Sequence, residues 1–366
     1  MSESSSNEWT VLPLGDVATL QRGFDLPVKQ REVGEIPIFA ANGPVGTHNE
    51  AKVRGPGVVT GRSGTIGKVH YIERDYWPLN TSLFVKDFHG NHPKFIFYLL
   101  RNMRLERFHE GTGVPTLNRN NVHVVDVSLP PLPEQKRIAE ILDKADNIRH
   151  KRQEAISFAQ DELLPSTFRS RLGDPQSNPH GWPKEKLGDV ITFIGGSQPP
   201  KSTFVNEPRK GYVRLVQIRD FKSNKYPTYI PADLAKRPFK KDDVMIARYG
   251  PPVFQILRGL EGSYNVALMK AEPTERTTKD FIFHLLQIPE VHDVVVAHSE
   301  RTAGQSGTNL DLLKNLEIPI PPISEQERLT VEIKQIEKYI DKMKKQECLT
   351  EDLFNSLVQR AFKGEL

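Results

Sequence analysis

Only one cysteine, Cys348, occurs in 366 residues. That rules out a disulfide framework and a cysteine-built zinc cluster, and it fits a reducing compartment. The plainest reading of Cys348 is a partly buried helix residue. No apolar run approaches the roughly 20 residues that a membrane span needs. Met1 to Asn7 is polar and serine-rich where a signal peptide would be hydrophobic. A soluble, cytoplasmic protein is therefore expected, with no membrane partner. A strong charge of one sign is missing as well: 50 basic residues face 46 acidic ones, for a net charge of +4. Any surface for a polyanion must then be local.

Catalytic motifs are also missing. Gly61-Arg62-Ser63-Gly64-Thr65-Ile66-Gly67-Lys68 has the glycines and lysine of a phosphate loop. Val69 stands where serine or threonine is required, and no helix pattern opens there. Gly111-Thr112-Gly113 lacks the third glycine of a dinucleotide or S-adenosylmethionine loop. The 11 histidines are scattered, and His89 and His92 have no clear third ligand, so no metal is expected. There is no Gly-x-Ser-x-Gly elbow and no Asn-Pro-Pro-aromatic signature of an amino-methylating enzyme. No catalytic residues are assigned.

What the chain does contain, it contains twice. Trp9 and Leu14-Gly15-Asp16-Val17 return as Trp182 and Leu187-Gly188-Asp189-Val190. Phe95-Ile96-Phe97-Tyr98-Leu99-Leu100 returns as Phe281-Ile282-Phe283-His284-Leu285-Leu286, an offset of 186. Pro130-Pro131-Leu132-Pro133-Glu134-Gln135 returns as Pro321-Pro322-Ile323-Ser324-Glu325-Gln326, an offset of 191. Loops change length while the scaffold keeps its order, as in a duplicated domain whose surface loops carry the variable task. A period this long means two domains and no solenoid.

Each repeat reads as short strands with glycine-rich turns around one amphipathic helix, a mixed α/β (α+β) fold. Strands are predicted at Leu14–Val17, Ile36–Ala40, Val58–Thr60, Val69–Glu73, Ser82–Val85 and Val122–Leu129, and a helix from His92 to about Phe108. The second repeat repeats the plan, with strands at Tyr212–Ile218 and Val244–Ala247. Two long helices follow different rules, with narrow apolar stripes that seek another helix. Ile138, Ile141, Leu142 and Ala145 carry the first stripe and Leu329, Ile333, Ile336 and Ile340 the second, and the two sets are expected to pair. The first stripe continues through Ile148, Ala155, Ile156, Ala159 and Leu163, the second through Met343, Leu353, Leu357 and Phe362. Ser324 with Glu327 has the form of a capping box. The division is 1–133, 134–174, 175–323 and 324–366: domain, helix, domain, helix. Two similar halves imply pseudo-two-fold symmetry, the symmetry by which dimeric readers meet duplex DNA.

Candidate contacts to DNA are loops that combine glycine with donors for phosphates or base edges. In the first repeat these are Arg62, Ser63, Thr65 and Lys68, and Thr112, Thr116, Asn118 and Arg119. In the second they are Arg248, Tyr249 and Gln255, and Arg301, Gln305, Ser306, Thr308 and Asn309. Plain hairpins and polar turns use the same residue types. A scaffolding protein whose globular domains bind proteins is the alternative from another class.

The pieces LPPLPEQKRIAEIL, IPIPPISEQERL, the FIFYLL and FIFHLL pair, RSGTIGKV and the closing Phe362-Lys363-Gly364-Glu365-Leu366 together resemble the specificity subunits of type I restriction-modification systems. The resemblance covers essentially the whole chain. It implies a non-catalytic protein with two target-recognition domains, each reading half of a split double-stranded DNA sequence. An antiparallel helix pair would set the gap and dock two modification subunits, which carry S-adenosylmethionine and the adenine-methylation chemistry. Two restriction subunits, using ATP and magnesium, would complete the assembly, and this chain itself would bind no cofactor. One segment departs from the doubling: Tyr249-Gly250-Pro251-Pro252-Val253-Phe254 stands where the first repeat has Ser63-Gly64-Thr65-Ile66-Gly67-Lys68.

Overall fold

The computed structural model describes residues 9–110, 113–250, 252–299 and 307–366. The chain forms two compact units, Met1–Gln153 with Lys345–Leu366, and Glu154–Lys344. The grouping runs through both long helices, where the sequence division sets them apart as separate segments. No helix among the described residues is long and apolar enough to cross a membrane.

Each unit holds a four-stranded antiparallel sheet of one topology. In the first, the order is Thr19–Arg22, Ser82–Asp87, Gly57–Gly61 and Val69–Ile72. In the second it is Ile191–Gly195, Leu268–Pro273, Val244–Ala247 and Ile256–Leu257. The central strands Gly57–Gly61 and Val244–Ala247 are buried along their whole length. A second sheet in each unit, of three strands in the first and four in the second, contains one parallel pair, Ile36–Ala40 with Trp77–Pro78 and Tyr212–Val216 with Gly262–Tyr264. The second unit adds an edge strand there, Pro238–Phe239.

The amphipathic helices Pro93–Asn102 and Lys279–Leu285 lay Phe95, Ile96 and Leu99, or Phe281, Ile282 and Leu285, into the cores. The first is shorter than its sequence pattern. Arg104 takes a left-handed conformation (φ 51°), and the chain then turns Leu105 fully into the core. Two expected strands are different elements. Leu14–Val17 and Leu187–Val190 are single helical turns, because Leu and Val three residues apart both face the core. Within Val122–Leu129 the strand is confined to Asp126–Leu129, preceded by the short helix Arg119–His123.

The long helices span Leu132–Phe158, continuing after a wide turn as Leu164–Leu172, and Ile323–Phe362. Their pairing departs from expectation. In the first unit Ile138, Leu142 and Ala145 share a core with Phe354, Leu357, Val358, Ala361 and Phe362. In the second, Leu329 and Ile333 share one with Leu164, Phe168 and Leu172. Polar contacts give the direction. Arg137 reaches the carbonyl of Leu366 (2.8 Å), Arg149 pairs with Glu351 (2.8 Å) and Arg152 with Thr350 (2.6 Å), so numbers rise on one helix as they fall on the other. The stripes mark the faces correctly; the antiparallel register sets the start of each helix against the end of the other. Ile141 and Ile336 are half-buried, and the stripe extensions Ile148, Leu163 and Leu353 are exposed. Cys348 is exposed as well, a correction to its expected partial burial.

Helix starts are held by a side chain that the capping reading overlooks. Ser324 lies inside the helix, so the expected box does not form. Instead Gln135 accepts from the His92 amide (2.9 Å) and donates to Asn91 Oδ1 (2.8 Å) and the Pro130 carbonyl (2.9 Å). Gln326 does the same with Thr278, Arg276 and Pro321. A charge exchange marks the same docking face: Lys94 with Asp143 (2.7 Å) in one repeat becomes Asp280 with Lys334 (2.5 Å) in the other.

His284 is buried beside Glu337 (3.6 Å), and its pKa is lowered from 6.5 to about 4, chiefly by burial and then by the Arg258 charge. The unfolded chain therefore takes up this proton first as pH falls. Stability is full above about pH 6.5 and declines until about pH 4. Between pH 7 and pH 5 the wild type should lose about 2 kcal/mol more than His284→Tyr, the residue of the first repeat at that place. Urea unfolding at both pH values checks this, and equal losses would reject the account.

Candidate nucleic-acid interface

Four separate loops were candidates in the sequence, and the structure joins them two by two. Gly61 ends a buried strand, and a Cβ there would overlap the Thr65 carbonyl oxygen, so only glycine lets the next loop fold back. That loop is held from both sides. The amides of Arg62 and Ser63 donate to the Thr81 carbonyl (2.9 and 3.1 Å). On the other side the Leu117 amide donates to the Arg62 carbonyl (2.8 Å), Gly64 donates to Pro115 (3.0 Å), and Ser63 and Thr116 form an antiparallel bridge. Segments more than fifty residues apart thus share one sheet edge.

The second unit repeats this join. The Thr308 amide donates to the Arg248 carbonyl (2.9 Å), and Tyr249 forms an antiparallel bridge with Gly307. Gly64 (φ 88°) and Gly250 (φ 93°) take the same left-handed turn 186 residues apart. The departing segment has a structural cause: Val253 and Phe254 are driven into the core, whereas the aligned Gly67 and Lys68 are not buried.

Arg62 is oriented by its Nε, which donates to the Asn80 carbonyl (3.0 Å). Among the described residues no carboxylate forms an ion pair with Arg62, which is half-buried. Asn80 in turn hydrogen-bonds Asp25. The Arg248 guanidinium lies over the ring of Tyr249 (5.1 Å to the centroid), and that ring is 37% exposed. Lys68 is exposed, Thr65 is half-buried, and Thr116 donates weakly to Val114 (3.3 Å). Arg119 is exposed and reaches the Leu20 carbonyl (3.4 Å).

Four candidates are committed within the fold. Asn118 and Asn309 cap the helices Arg119–His123 and Leu310–Asn315 with their Oδ1 atoms, accepting from Asn120 and Leu312 (both 3.0 Å). Bidentate adenine readout needs that oxygen, so these two position the loops. Gln255 turns back to donate to Pro252 (2.8 Å). Thr308 lies half-buried against Ala247 and Arg248. Thr112, Arg301, Gln305 and Ser306 lie outside the described residues. Sequence reasoning missed Asn80 and Asp25, which no local pattern connects to Arg62. It also missed Gln135 and Gln326, although their recurrence at one offset was a usable signal.

The family described as the type I restriction modification DNA specificity domain matches this chain twice, over residues 6–157 and 179–350. The specificity subunit of the MjaVIII type I restriction enzyme of Methanocaldococcus jannaschii is 23% identical over 308 residues, covering 74% of this chain and 70% of that protein. The Escherichia coli EcoDI specificity subunit is 20% identical, covering 98% and 89%. In fold, the chain is similar to the S subunit of a type I restriction-modification system from M. genitalium, with a TM-score of 0.58, 14% identity, and 99% and 98% of the two chains covered. A second solved chain, from a type I R-M system, gives a TM-score of 0.61 at 18% identity, with 98% of each chain covered.

Proposed function

Because the chain belongs to the family of type I restriction modification DNA specificity domains, we propose that each repeat reads one half of a bipartite double-stranded DNA target through its joined pair of loops. The observation that carries this reading is the same sheet-edge join in both repeats, Arg62 with Leu117 and Arg248 with Thr308. Each join presents an arginine on a rigid strand end, the geometry suited to guanine or phosphate contact. Ser63, Thr65, Lys68, Thr116, Arg119 and Tyr249 flank the two arginines. The chain performs no chemistry itself. Its paired helices space the two readers with pseudo-two-fold symmetry and dock two modification subunits, which bind S-adenosylmethionine and methylate adenine. Two restriction subunits supply ATP- and magnesium-dependent cleavage. The assembly works on DNA in a bacterial or archaeal cytoplasm.

Arg62→Ala and Arg248→Ala test the reading. Each should relax methylation specificity in one half-site only, at a cost of about 1–3 kcal/mol, or roughly ten- to hundredfold. Sequencing of adenines methylated by the complex reads this out. Equal loss in both halves, or none, would reject the assignment. Duplex affinity should also fall with salt; a flat titration would favour a protein-binding scaffold.

A further inference from the structure

The two long helices differ by one residue. Asp161-Glu162-Leu163-Leu164-Pro165-Ser166 aligns with Glu351-Asp352-Leu353-Phe354-Asn355-Ser356 at an offset of 190, whereas Asp146 aligns with Glu337 at 191. The extra residue is absorbed in the wide π turn Ala159–Leu163, as expected for a single insertion into a helix. Pro165 follows, with no N–H to continue an ordinary ladder.

Beyond this turn, matching places in the two repeats are filled differently. In the first unit Phe354 is buried beneath the guanidinium groups of Arg101 (5.4 Å) and Arg149 (5.2 Å), and Arg149 pairs with Glu351 (2.8 Å). In the second, the aligned residues are Leu164, Gln287 and Ile340, with Asp161 in the place of Glu351. An aromatic ring and two guanidinium groups are thus replaced by smaller or uncharged side chains, and Gln287 folds back onto the Phe283 carbonyl (2.7 Å). The result is a cleft of about 820 Å³ floored by Leu164, Phe283 and Ile340.

The charges around the cleft are unequal. Arg258, stacked on Phe283 (3.9 Å), is paired with Asp280 and Glu337, and Arg169 is paired with Glu290. Among the described residues Asp161, Glu162 and Asp341 make no salt bridge, and Lys344 is the cation that makes none. Two carboxylates therefore remain in excess, which disfavours a phosphate-bearing occupant.

We propose that this cleft docks a protein partner that places an aromatic ring against Leu164 and a guanidinium against Asp161, the two groups the first unit supplies from its own chain as Phe354 and Arg149. The inference rests on the functional reading for its partner, a modification subunit, and makes the two docking positions unequal. The probe is the modification subunit co-expressed with the full chain, and dissociation is followed by native mass spectrometry. Two subunits should bind the wild type. Leu164→Phe with Gln287→Arg and Ile340→Arg transplants the filling of the first unit, and should weaken one of the two bound subunits by at least tenfold. Asp161→Asn, a rim change that leaves packing intact, should weaken the same subunit by about tenfold. Two subunits held with unchanged affinity by either variant would overturn the proposal while leaving the functional reading standing. A wild-type chain that binds no modification subunit would overturn both. A loss confined to DNA affinity would also overturn it, by making the cleft a nucleic-acid site.

Discussion

Four residues added to each long helix, one insert after Gln153 and one after Lys344, should move the recognised half-sites apart by about two base pairs and leave both half-site sequences unchanged. Four residues lengthen a helix by about 6 Å, and base pairs are spaced by about 3.4 Å. The two insertion points are the positions at which each helix passes from one compact unit to the other. Both helices must be lengthened. An insert after Ala145 alone would shift Asp146 and Arg149 away from Arg101 and Glu351, which hold them at 3.2 and 2.8 Å, and would report local unfolding instead of spacing. Four residues are close to a whole number of turns, so the apolar face stays in phase. Mapping methylated adenines in cells that carry the lengthened chain gives the new gap. An unchanged gap with methylation intact would remove the spacer role from the helices.

Gln326→Ala should destabilise the second unit by about 4 kcal/mol, a large fraction of the stability of an ordinary domain. Gln326 has no exposed surface. Its side chain accepts from the Thr278 amide (3.0 Å) and donates to the carbonyls of Arg276 and Pro321 (both 2.8 Å). Truncation leaves three backbone groups without that partner, each costing about 1–3 kcal/mol where water cannot enter. These bonds also tie the start of the long helix to the start of the amphipathic one, so their loss loosens the face on which Asp280 meets Lys334. Gln326→Met preserves volume and removes only the polar groups, so it should be nearly as damaging. If urea unfolding placed the methionine variant within about 1 kcal/mol of the wild type, packing and not hydrogen bonding would be the cause. Gln135 has the same three-bond arrangement in the first unit and should respond alike.

Much of this protein is written locally. Short apolar runs set among turn residues place the strands at Ile36–Ala40 and Val244–Ala247. Three- and four-residue spacing identifies the apolar faces of the long helices, and the duplication names both the family and the places where loops must differ. Local patterns went wrong where a short segment satisfied two conformations. Leu14–Val17 suits a strand or a single helical turn, and only the core around it selects the turn.

Partnership over long distances was not legible. Periodicity says that Ile138 and Leu142 face another helix, but the partner is chosen by which side chains fill the space, and Phe354 and Val358 fill it. The loops holding Arg62 and Thr116 each read as separate polar turns, because the hydrogen bonds that join them connect backbone groups, and those leave no trace in residue type. Asn118 looked like a base reader because its amide suits adenine; the adjacent helix start claimed its oxygen. Residue pattern thus encodes what each segment buries, whereas register and the sharing of backbone donors depend on which segments the folded chain brings side by side.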